Sequence, residues 1–247
     1  MASPSLDIVF FDIDDTLYST TAFAERARRA AISAMVDAGL AIDVDQGVTE
    51  ITEVVSEFAS NYAGHFDRLL DRLGPESYEG HNRAVLVAAG VVAYHRTKSE
   101  GLHMLPDVRV VLESLRGAGL RLGVISAGLQ VKQAEKLIRL DALEYFDPSA
   151  IFFSDQVGVS KPNPKLYTLA CRRAGVEPTR ALYVGDRPGH DVAPAASIGM
   201  KTVLYGGAGG KYAAGTCADD VTPDHTLDDM RPLLAILRET YGVGAPA

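Results

Sequence analysis

The sequence predicts an α/β fold, a doubly wound parallel sheet into which an α-helical cap domain is inserted. Three observations predict it. From Leu105 onward, short apolar runs alternate with helix-like segments; a separate apolar run lies near the amino terminus; and the residues between repeat at helical spacing with almost no strand signal. Strands alternating with helices of this length indicate a parallel sheet covered on both faces.

The predicted strands are five apolar runs, at residues 8–11, 120–125, 150–153, 181–184 and 201–204. The first run has no strand partner in the helical block that follows it, so we expect it to join the later sheet. The helical block is then an insertion standing over the carboxyl ends of the strands. This organisation assigns residues 1–18 and 105–247 to the core and residues 19–104 to the cap.

Three helical segments are predicted within the cap. The first repeats small and apolar residues from Phe23 to Gly39, the second runs from Ile51 to the Gly74-Pro75 pair, and the third extends from about Asn82 to Glu100. Their apolar residues recur at the spacing of one helix face.

Composition and charge exclude several classes of protein. The chain has 32 acidic and 24 basic residues among 247, a formal net charge of −8, which argues against a surface for nucleic acid or anionic membranes. No window approaches the roughly 18 apolar residues of a membrane span, and the start lacks a basic signal region. With only Cys171 and Cys217, no disulfide framework is expected, so we expect a cytoplasmic protein.

A glycine-rich stretch at residues 206–210, followed by Lys211, superficially suggests a phosphate-binding loop. A Walker loop needs Gly at the position of Tyr205 and Ser or Thr at that of Tyr212. Neither requirement is met, so we expect a flexible surface loop.

Polar residues follow four of the predicted strands. Asp12 and Asp14 come after the first, Ser126 after the second, Lys161 after the third, and the segment from Gly185 to Asp191 after the fourth. Ligands of open parallel sheets bind outside the carboxyl ends of the strands. We therefore expect these side chains to meet at one edge.

The acidic residues suit a magnesium site and covalent catalysis. Asp12, Asp186 and the backbone carbonyl of Asp14 would supply oxygen ligands to Mg²⁺, which needs only a couple of carboxylates. Without a cation, carboxylates so close together would repel one another. Asp12 can then attack phosphorus to form an aspartyl-phosphate, while Asp14 protonates the leaving oxygen and later deprotonates water.

The same edge carries groups that can bind phosphate. Ser126 offers a hydroxyl, and the amides of Ala127 and Gly128 lie near the start of a helix, whose dipole favours anions. Lys161 supplies a positive charge for Asp12 and for a phosphoryl oxygen. Asn163-Pro164 predicts an N-cap and a first helical residue, which places Lys161 just ahead of a helix.

Each of these features has an ordinary structural explanation when taken alone. An Asp-x-Asp sequence after a strand is commonly a turn or a cap, and Asp191 alone suits the first turn of a helix. Four such loops, in order at the same edge of one predicted sheet, favour catalysis.

The segments Asp12-Ile13-Asp14-Asp15-Thr16-Leu17, Ser126, Lys161 and Gly185-Asp186-Arg187-Pro188-Gly189-His190-Asp191 resemble, in order, the four motifs of the haloacid dehalogenase-like hydrolase superfamily. The resemblance covers residues 6–204, with the helical insertion where that superfamily has its small helical cap. Residues 60–73, 93–98 and 131–140 also resemble a group of archaeal-type magnesium-dependent phosphatases within it.

The resemblance implies a Rossmann-like core and Mg²⁺ as the cofactor. It implies that Asp12 is the nucleophile, Asp14 the acid/base and Asp186 a metal ligand, with Asp191 supporting the metal shell. Ser126 and Lys161 are implied as phosphate contacts. Ala127 stands where Asn is frequent, but only its backbone amide is needed. The implied enzyme is a phosphatase acting on a small phosphorylated metabolite.

Alternatives on the same fold remain open. A haloacid dehalogenase needs neither a metal nor an acid at the position of Asp14, so Asp14 and Asp186 favour phosphoryl transfer. A phosphomutase would use the same four motifs, although Thr16 is more typical of the phosphatases. A phospho-ligand sensor would usually have lost a catalytic carboxylate or the lysine.

Substrate specificity is expected to come from the cap. Plausible pocket residues are Tyr18, Phe23, Asn61, Tyr62, His65, His95, Arg96 and Lys98, although aromatic residues at helical spacing usually belong to a core. Asp15 has no expected chemical role beyond stabilising its turn. We expect a monomer or homodimer with no nucleic-acid or membrane partner.

Overall fold

The chain forms two compact units in a computed structural model that describes residues 5–58, 62–207 and 222–243. The first unit contains Met1–Thr21 and His103–Ala247, and the second contains Ala22–Leu102. No helix in these described ranges is both long and apolar enough to cross a bilayer.

The second unit is helical. Its helices, the first of which begins two residues before the unit, are α1 (Thr20–Asp37), α2 (Val44–Phe58), α3 (His65–Leu73) and α4 (Arg83–Glu100). Their apolar faces enclose a core that includes Ile32, Met35, Ile51, Leu69 and Leu86. Asn82 caps α4, because its side chain accepts a hydrogen bond from the Ala84 amide at 2.9 Å.

The second predicted helical segment of the cap is two helices rather than one. α2 ends at Phe58 and α3 begins at His65. Gly64 directly precedes α3, and a Cβ atom there would lie 2.8 Å from the Tyr62 hydroxyl oxygen. Glycine is a poor helix former, and the Tyr62 ring occupies the space that a side chain at position 64 would need. The helix is therefore interrupted here, although the apolar periodicity of the sequence continues.

Among its described residues, the first unit contains six further α-helices and one π-helical turn. The helices are α5 (Pro106–Gly117), α6 (Gln130–Arg139), α7 (Ser154–Val157), α8 (Pro164–Ala174), α9 (Ala193–Ser197) and α10 (Pro232–Tyr241), and the turn spans Pro188–Val192. Asn163 caps α8 as the sequence predicts: its side chain accepts from the Lys165 amide at 3.0 Å, and Pro164 is the first helical residue.

The sheet of the first unit has six parallel strands within the part of the chain that the structure describes. They are β1 (Ile8–Phe11), β2 (Arg121–Ser126), β3 (Ile151–Phe153), β4 (Ala181–Gly185), β5 (Lys201–Tyr205) and β6 (His225–Leu227), in the order β3-β2-β1-β4-β5-β6. This order is that of a Rossmann-like doubly wound sheet, so the predicted fold class is confirmed. β6 was not predicted, because its sequence His225-Thr226-Leu227 contains a single apolar residue, whereas the equally short β3 is apolar throughout.

The centre of the sheet is where the strand order reverses. β1 pairs with β2 on one side and with β4 on the other, so Phe11 lies beside both Val124 and Val184. All four residues of β1 are fully buried, as expected for a strand covered on both faces. The residues that follow β1, β2 and β4 therefore emerge next to one another, at the position where such sheets bind ligands.

Candidate active site

All seven residues singled out from the sequence line one cavity at the carboxyl edge of the sheet. They are Asp12, Asp14, Ser126, Ala127, Lys161, Asp186 and Asp191. The cavity has a volume of about 410 Å³, and Asp15, Thr21, Arg187 and His190 also line it. These residues meet because β1, β2 and β4 are neighbours in the sheet. The Asp12 amide also donates a hydrogen bond to the Val184 carbonyl at 2.9 Å.

Lys161 is the buried cation of the cavity. Its Nζ lies 2.9 Å from Asp12 Oδ1 and 2.7 Å from Asp191 Oδ1, and only 4% of its side chain is exposed. Burial alone would lower the pKa of Lys161, but the Asp12 and Asp191 carboxylates outweigh it and hold that pKa above its usual value. Lys161 therefore stays charged between two carboxylates.

Two buried tyrosines that the sequence did not single out hold this network. Lys161 Nζ donates to the Tyr183 hydroxyl at 2.7 Å, and that hydroxyl donates to the Ile125 carbonyl at 2.9 Å. The Tyr167 ring packs edge-on against Tyr183 with centroids 5.0 Å apart, and its hydroxyl donates to the His190 carbonyl at 2.8 Å. The sequence contains no signal for either tyrosine, because an aromatic ring in a buried strand or helix needs no polar explanation.

Asp12, Asp186 and Asp191 form an acidic cluster. One carboxylate oxygen from each lies within 4.8 Å of the others, and all three residues are buried. Burial raises the pKa of Asp186 to about 8, reinforced by the charges of Asp191 and Asp12. Burial likewise raises the pKa of Asp12 to about 6, against the opposing charge of Lys161. The cation of Lys161 thus neutralises only part of the negative charge of the three carboxylates, and the cluster is under-neutralised.

Asp191 differs from the other two acids because the chain satisfies both of its oxygens. Oδ1 accepts from Lys161 at 2.7 Å, and Oδ2 accepts from the Arg187 amide at 3.0 Å. A Cβ atom on Gly185 would lie 2.6 Å from Asp191 Cγ, so glycine is needed for this approach. The residue lies in the π-helical turn Pro188–Val192 rather than in the first turn of an α-helix.

Asp186 has an open oxygen. Its Oδ1 is buried and has no hydrogen-bond partner among the described residues. An unsatisfied buried carboxylate oxygen is costly unless a cation or donor meets it. Together with the under-neutralised cluster, this oxygen marks where a hard cation such as Mg²⁺ would bind.

Asp14 is surrounded by donors. Both of its oxygens lie 2.7 Å from Lys136 Nζ; the Tyr18 hydroxyl donates to Oδ1 at 2.6 Å, and Gln133 Nε2 donates to Oδ2 at 3.2 Å. Burial opposes ionisation of Asp14, but these donors, Lys136 foremost, hold its pKa below its usual value. Gln133 and Lys136 were not predicted, although their i, i+3 spacing puts them on one helix face.

An open hydroxyl lies at the carboxyl end of β2. Ser126 Oγ is buried without a hydrogen-bond partner among the described residues, and Ala127 lies beside it in the cavity lining. Gly128 is different, because its amide donates to Ser154 Oγ at 2.9 Å. The expectation that the Gly128 amide is available to phosphate is therefore wrong.

Asp15 lies in a turn, consistent with the expectation that it has no chemical role beyond stabilising that turn. Its φ of 51° is in the left-handed region, which Asp tolerates better than most residues. Its Oδ1 accepts a hydrogen bond from the Thr21 amide at 3.2 Å.

Some of the residues considered for the cap pocket have other partners, and some lie outside the described residues. Tyr18 is buried and bonded to Asp14. The Tyr62 and His65 rings contact each other at 5.5 Å, and the His95 ring contacts Tyr94. Phe23 is buried. Asn61, the side chain of Lys98, Cys217 and residues 208–211 of the glycine-rich stretch lie outside the described residues.

Comparison with known proteins agrees with the fold and the cavity. Residues 6–199 match the family described as haloacid dehalogenase-like hydrolase. A protein named glyceraldehyde 3-phosphate phosphatase from Methanopyrus kandleri is 46% identical over 234 residues, covering 94% of this chain and 97% of its own. One of the same name from Pyrococcus furiosus is 38% identical over 237 residues, covering 96% and 95%.

A solved structure supports the same conclusion about the fold. A HAD family hydrolase from Deinococcus radiodurans, with bound phosphate and sodium, has a TM-score of 0.68 at 21% identity, covering 99% of this chain and all of its own. The resemblance inferred from the four motifs is confirmed: the chain belongs to the haloacid dehalogenase-like hydrolase family.

Proposed function

We propose that this protein is a Mg²⁺-dependent phosphatase that hydrolyses a triose phosphate, through an aspartyl-phosphate formed on Asp12. The predicted class of enzyme, a phosphoric monoester hydrolase, is confirmed by the relatives' names and the family match. The observation that supports Asp12 as nucleophile is its place: directly after the central strand, beside Lys161, and on the same cavity as Ser126.

The donors in the cavity fit Mg²⁺. Asp12 and Asp186 would hold the ion through carboxylate oxygens, with the Asp14 carbonyl as a further ligand, because Mg²⁺ prefers a few hard oxygen ligands. Asp191, both of whose oxygens are already bonded, would support the ion indirectly. When bound, Mg²⁺ would offset the negative charge of the carboxylates and of the phosphoryl oxygens, and so would reduce the repulsion between Asp12 and the phosphate ester.

The chain's own groups account for binding and attack. Lys161, charged and buried, attracts the phosphoryl group to Asp12 and offsets charge that develops on its oxygens. The open Ser126 hydroxyl and the Ala127 amide are donors for the same oxygens. Asp12 attacks phosphorus, the ester oxygen leaves with a proton from Asp14, and Asp14 then takes a proton from the water that hydrolyses the acyl phosphate.

The substrate class is inferred from the relatives. Two relatives that cover almost the whole chain are named glyceraldehyde 3-phosphate phosphatase. A cavity of about 410 Å³ can accommodate a three-carbon phosphate ester.

The test is a phosphate-release assay over glyceraldehyde 3-phosphate, phosphoglycolate, hexose phosphates and nucleotides, with Mg²⁺ and with excess chelator. We expect the triose phosphate to give the highest kcat/KM and the chelator to remove activity. Equal turnover in chelator would contradict the metal dependence. A hexose phosphate or nucleotide well above the triose phosphate would overturn the substrate class.

Asp12→Asn tests the nucleophile. It should lower turnover by at least about a thousandfold while the fold is retained, because the amide cannot form the acyl phosphate. Asp15→Asn is the matched control: it removes one carboxylate from the same cavity lining, and Asn tolerates the left-handed backbone at that position. Substantial turnover by a verified Asp12→Asn sample would exclude Asp12 as nucleophile.

A further inference from the structure

We propose that Lys136 on α6, assisted by Gln133, is a positioning residue that fixes the Asp14 carboxylate for proton transfer, an inference that rests on the proposed function. Lys136 lies outside the four motifs by which the sequence resembles its family. Lys136 is not itself among the residues that line the cavity, and it would act through Asp14, which is.

The geometry of the ion pair restricts the orientation of Asp14. Lys136 Nζ lies 2.7 Å from Oδ1 and 2.7 Å from Oδ2 of the same carboxylate. A cation equidistant from both oxygens fixes the position of the carboxylate, and the separate donors on Oδ1 and Oδ2, Tyr18 and Gln133, oppose its rotation. Proton transfer depends on such orientation, since the acid must lie within hydrogen-bond reach of the leaving oxygen.

Gln133 connects the Lys136–Asp14 ion pair to the loop after β2. Its Nε2 donates to Asp14 Oδ2 at 3.2 Å and to the Ala127 carbonyl at 2.5 Å. A Cβ atom on Gly128 would lie 2.7 Å from the same nitrogen, and Gly128 has a φ of 141°. Glycine at that position thus leaves room for the Gln133 amide, which couples the position of the acid/base to the loop carrying Ser126 and Ala127.

The other side of Asp14 is held by neutral donors. The Tyr18 hydroxyl and Thr20 Oγ1 donate to Oδ1 at 2.6 and 3.1 Å. Lys136 is therefore the cation of this carboxylate, as Lys161 is the cation of Asp12 and Asp191. Without Lys136, an ionised Asp14 would face the acidic cluster with hydroxyl and amide donors alone, and it would turn away from those charges.

A purely structural ion pair between α6 and the loop after β1 is the alternative. The side chains of Lys136 and Asp14 are 22% and 33% exposed, and pairs with such access to solvent contribute little to stability. Lys136→Met is therefore expected to fold, so its kinetics can be read. Lys136→Gln serves as a second neutral variant if the methionine variant does not fold.

The test compares two esters, both with Mg²⁺. p-Nitrophenyl phosphate has a leaving group that departs without a proton, whereas glyceraldehyde 3-phosphate releases an alkoxide that needs one. If Lys136 acts through Asp14, Lys136→Met should lower kcat/KM for the triose phosphate by about ten- to a hundredfold and change kcat/KM for the aryl ester less than about threefold. The comparison uses kcat/KM because kcat also includes hydrolysis of the acyl phosphate, a step that needs Asp14 for both esters. Lys136→Arg, which keeps a charge able to meet both oxygens, should recover most of the loss.

Two controls make the outcome decisive. Lys132→Met removes a lysine from the exposed face of the same helix and should leave both esters unaffected. The double variant Lys136→Met/Asp14→Asn should be no slower than Asp14→Asn alone, because a positioning residue has nothing left to position. Additive losses in the double variant, or equal losses on both esters, would overturn the inference.

Failure of this inference is distinguishable from failure of the proposed function. If the wild-type enzyme hydrolyses neither ester, the phosphatase proposal is wrong, and the role of Lys136 falls with it. If the wild-type enzyme is active and Lys136→Met loses both esters equally, only the positioning role is wrong.

Discussion

Asp186→Asn should make the metal-free protein more stable at alkaline pH. The folded chain holds the pKa of Asp186 at about 8, through burial and the neighbouring acids, against 3.8 as its ordinary value. Because the folded state binds the proton more tightly, stability is greatest at acid pH and falls as pH rises from about 4 to about 8. A tenfold difference in proton affinity is about 1.4 kcal/mol, so this carboxyl costs up to about 5 kcal/mol at pH 8.

The asparagine variant removes that cost because its amide does not ionise. In chelator, its free energy of unfolding should exceed that of the wild type by about 2 to 5 kcal/mol at pH 8 and by about a third of that amount at pH 5. Mg²⁺ should reduce this difference by about 2.7 kcal/mol. An ion at a hundred times its Kd stabilises the wild type by about 2.7 kcal/mol, and the variant, lacking one ligand, should gain little.

The assay is thermal and urea unfolding from pH 5 to pH 8.5, in chelator and in Mg²⁺. Asp141→Asn is the matched control, because Asp141 is exposed and its φ of 51° suits Asn equally well. The difference between the unfolding free energies of the two variants separates the effect of the buried Asp186 carboxyl from the general effect of removing one negative charge. The reasoning is refuted if metal-free wild type and Asp186→Asn have the same pH dependence, or if Mg²⁺ stabilises both equally.

Three further changes test other parts of the molecule. Asp14→Asn should lower turnover of an alkyl phosphate by about two to four decades if Asp14 is the acid/base, and a loss below tenfold would reassign the role. Gly123→Ala should destabilise the core by about 1 to 3 kcal/mol in urea unfolding, because the new Cβ would meet the Phe10 ring at 2.5 Å; unchanged stability would show that the ring moves freely. Asn163→Ala should cost about 1 kcal/mol through loss of the α8 cap, with Asn163→Asp as the control that keeps it.

The sequence predicted what local pattern and strand order determine. Five of the six strands, the parallel sheet and the meeting of Asp12 with Asp186 all follow from buried runs alternating with helices. The break between α2 and α3 was not predictable from periodicity, since the apolar positions continue across Gly64.

The donors around the acids could not be identified in the same way. Lys136 lies 122 positions from Asp14 in the chain, and a lysine on an amphipathic helix is ordinarily solvated. Tyr183 sits within a buried strand, where an aromatic ring needs no polar explanation. Only the packing of α6 and α8 against the sheet decides which polar atoms these side chains meet.

The distribution of protein donors among four neighbouring acids separates their roles. Asp14 has Lys136 and Asp191 has Lys161 with the Arg187 amide, so the chain itself satisfies both. Asp12 shares its lysine with Asp191, and Asp186 keeps a buried oxygen without a partner among the described residues. The two acids that the protein leaves only partly neutralised are those to which the proposed function assigns a cation and a phosphoryl group, whereas Asp191 already holds Lys161 in place.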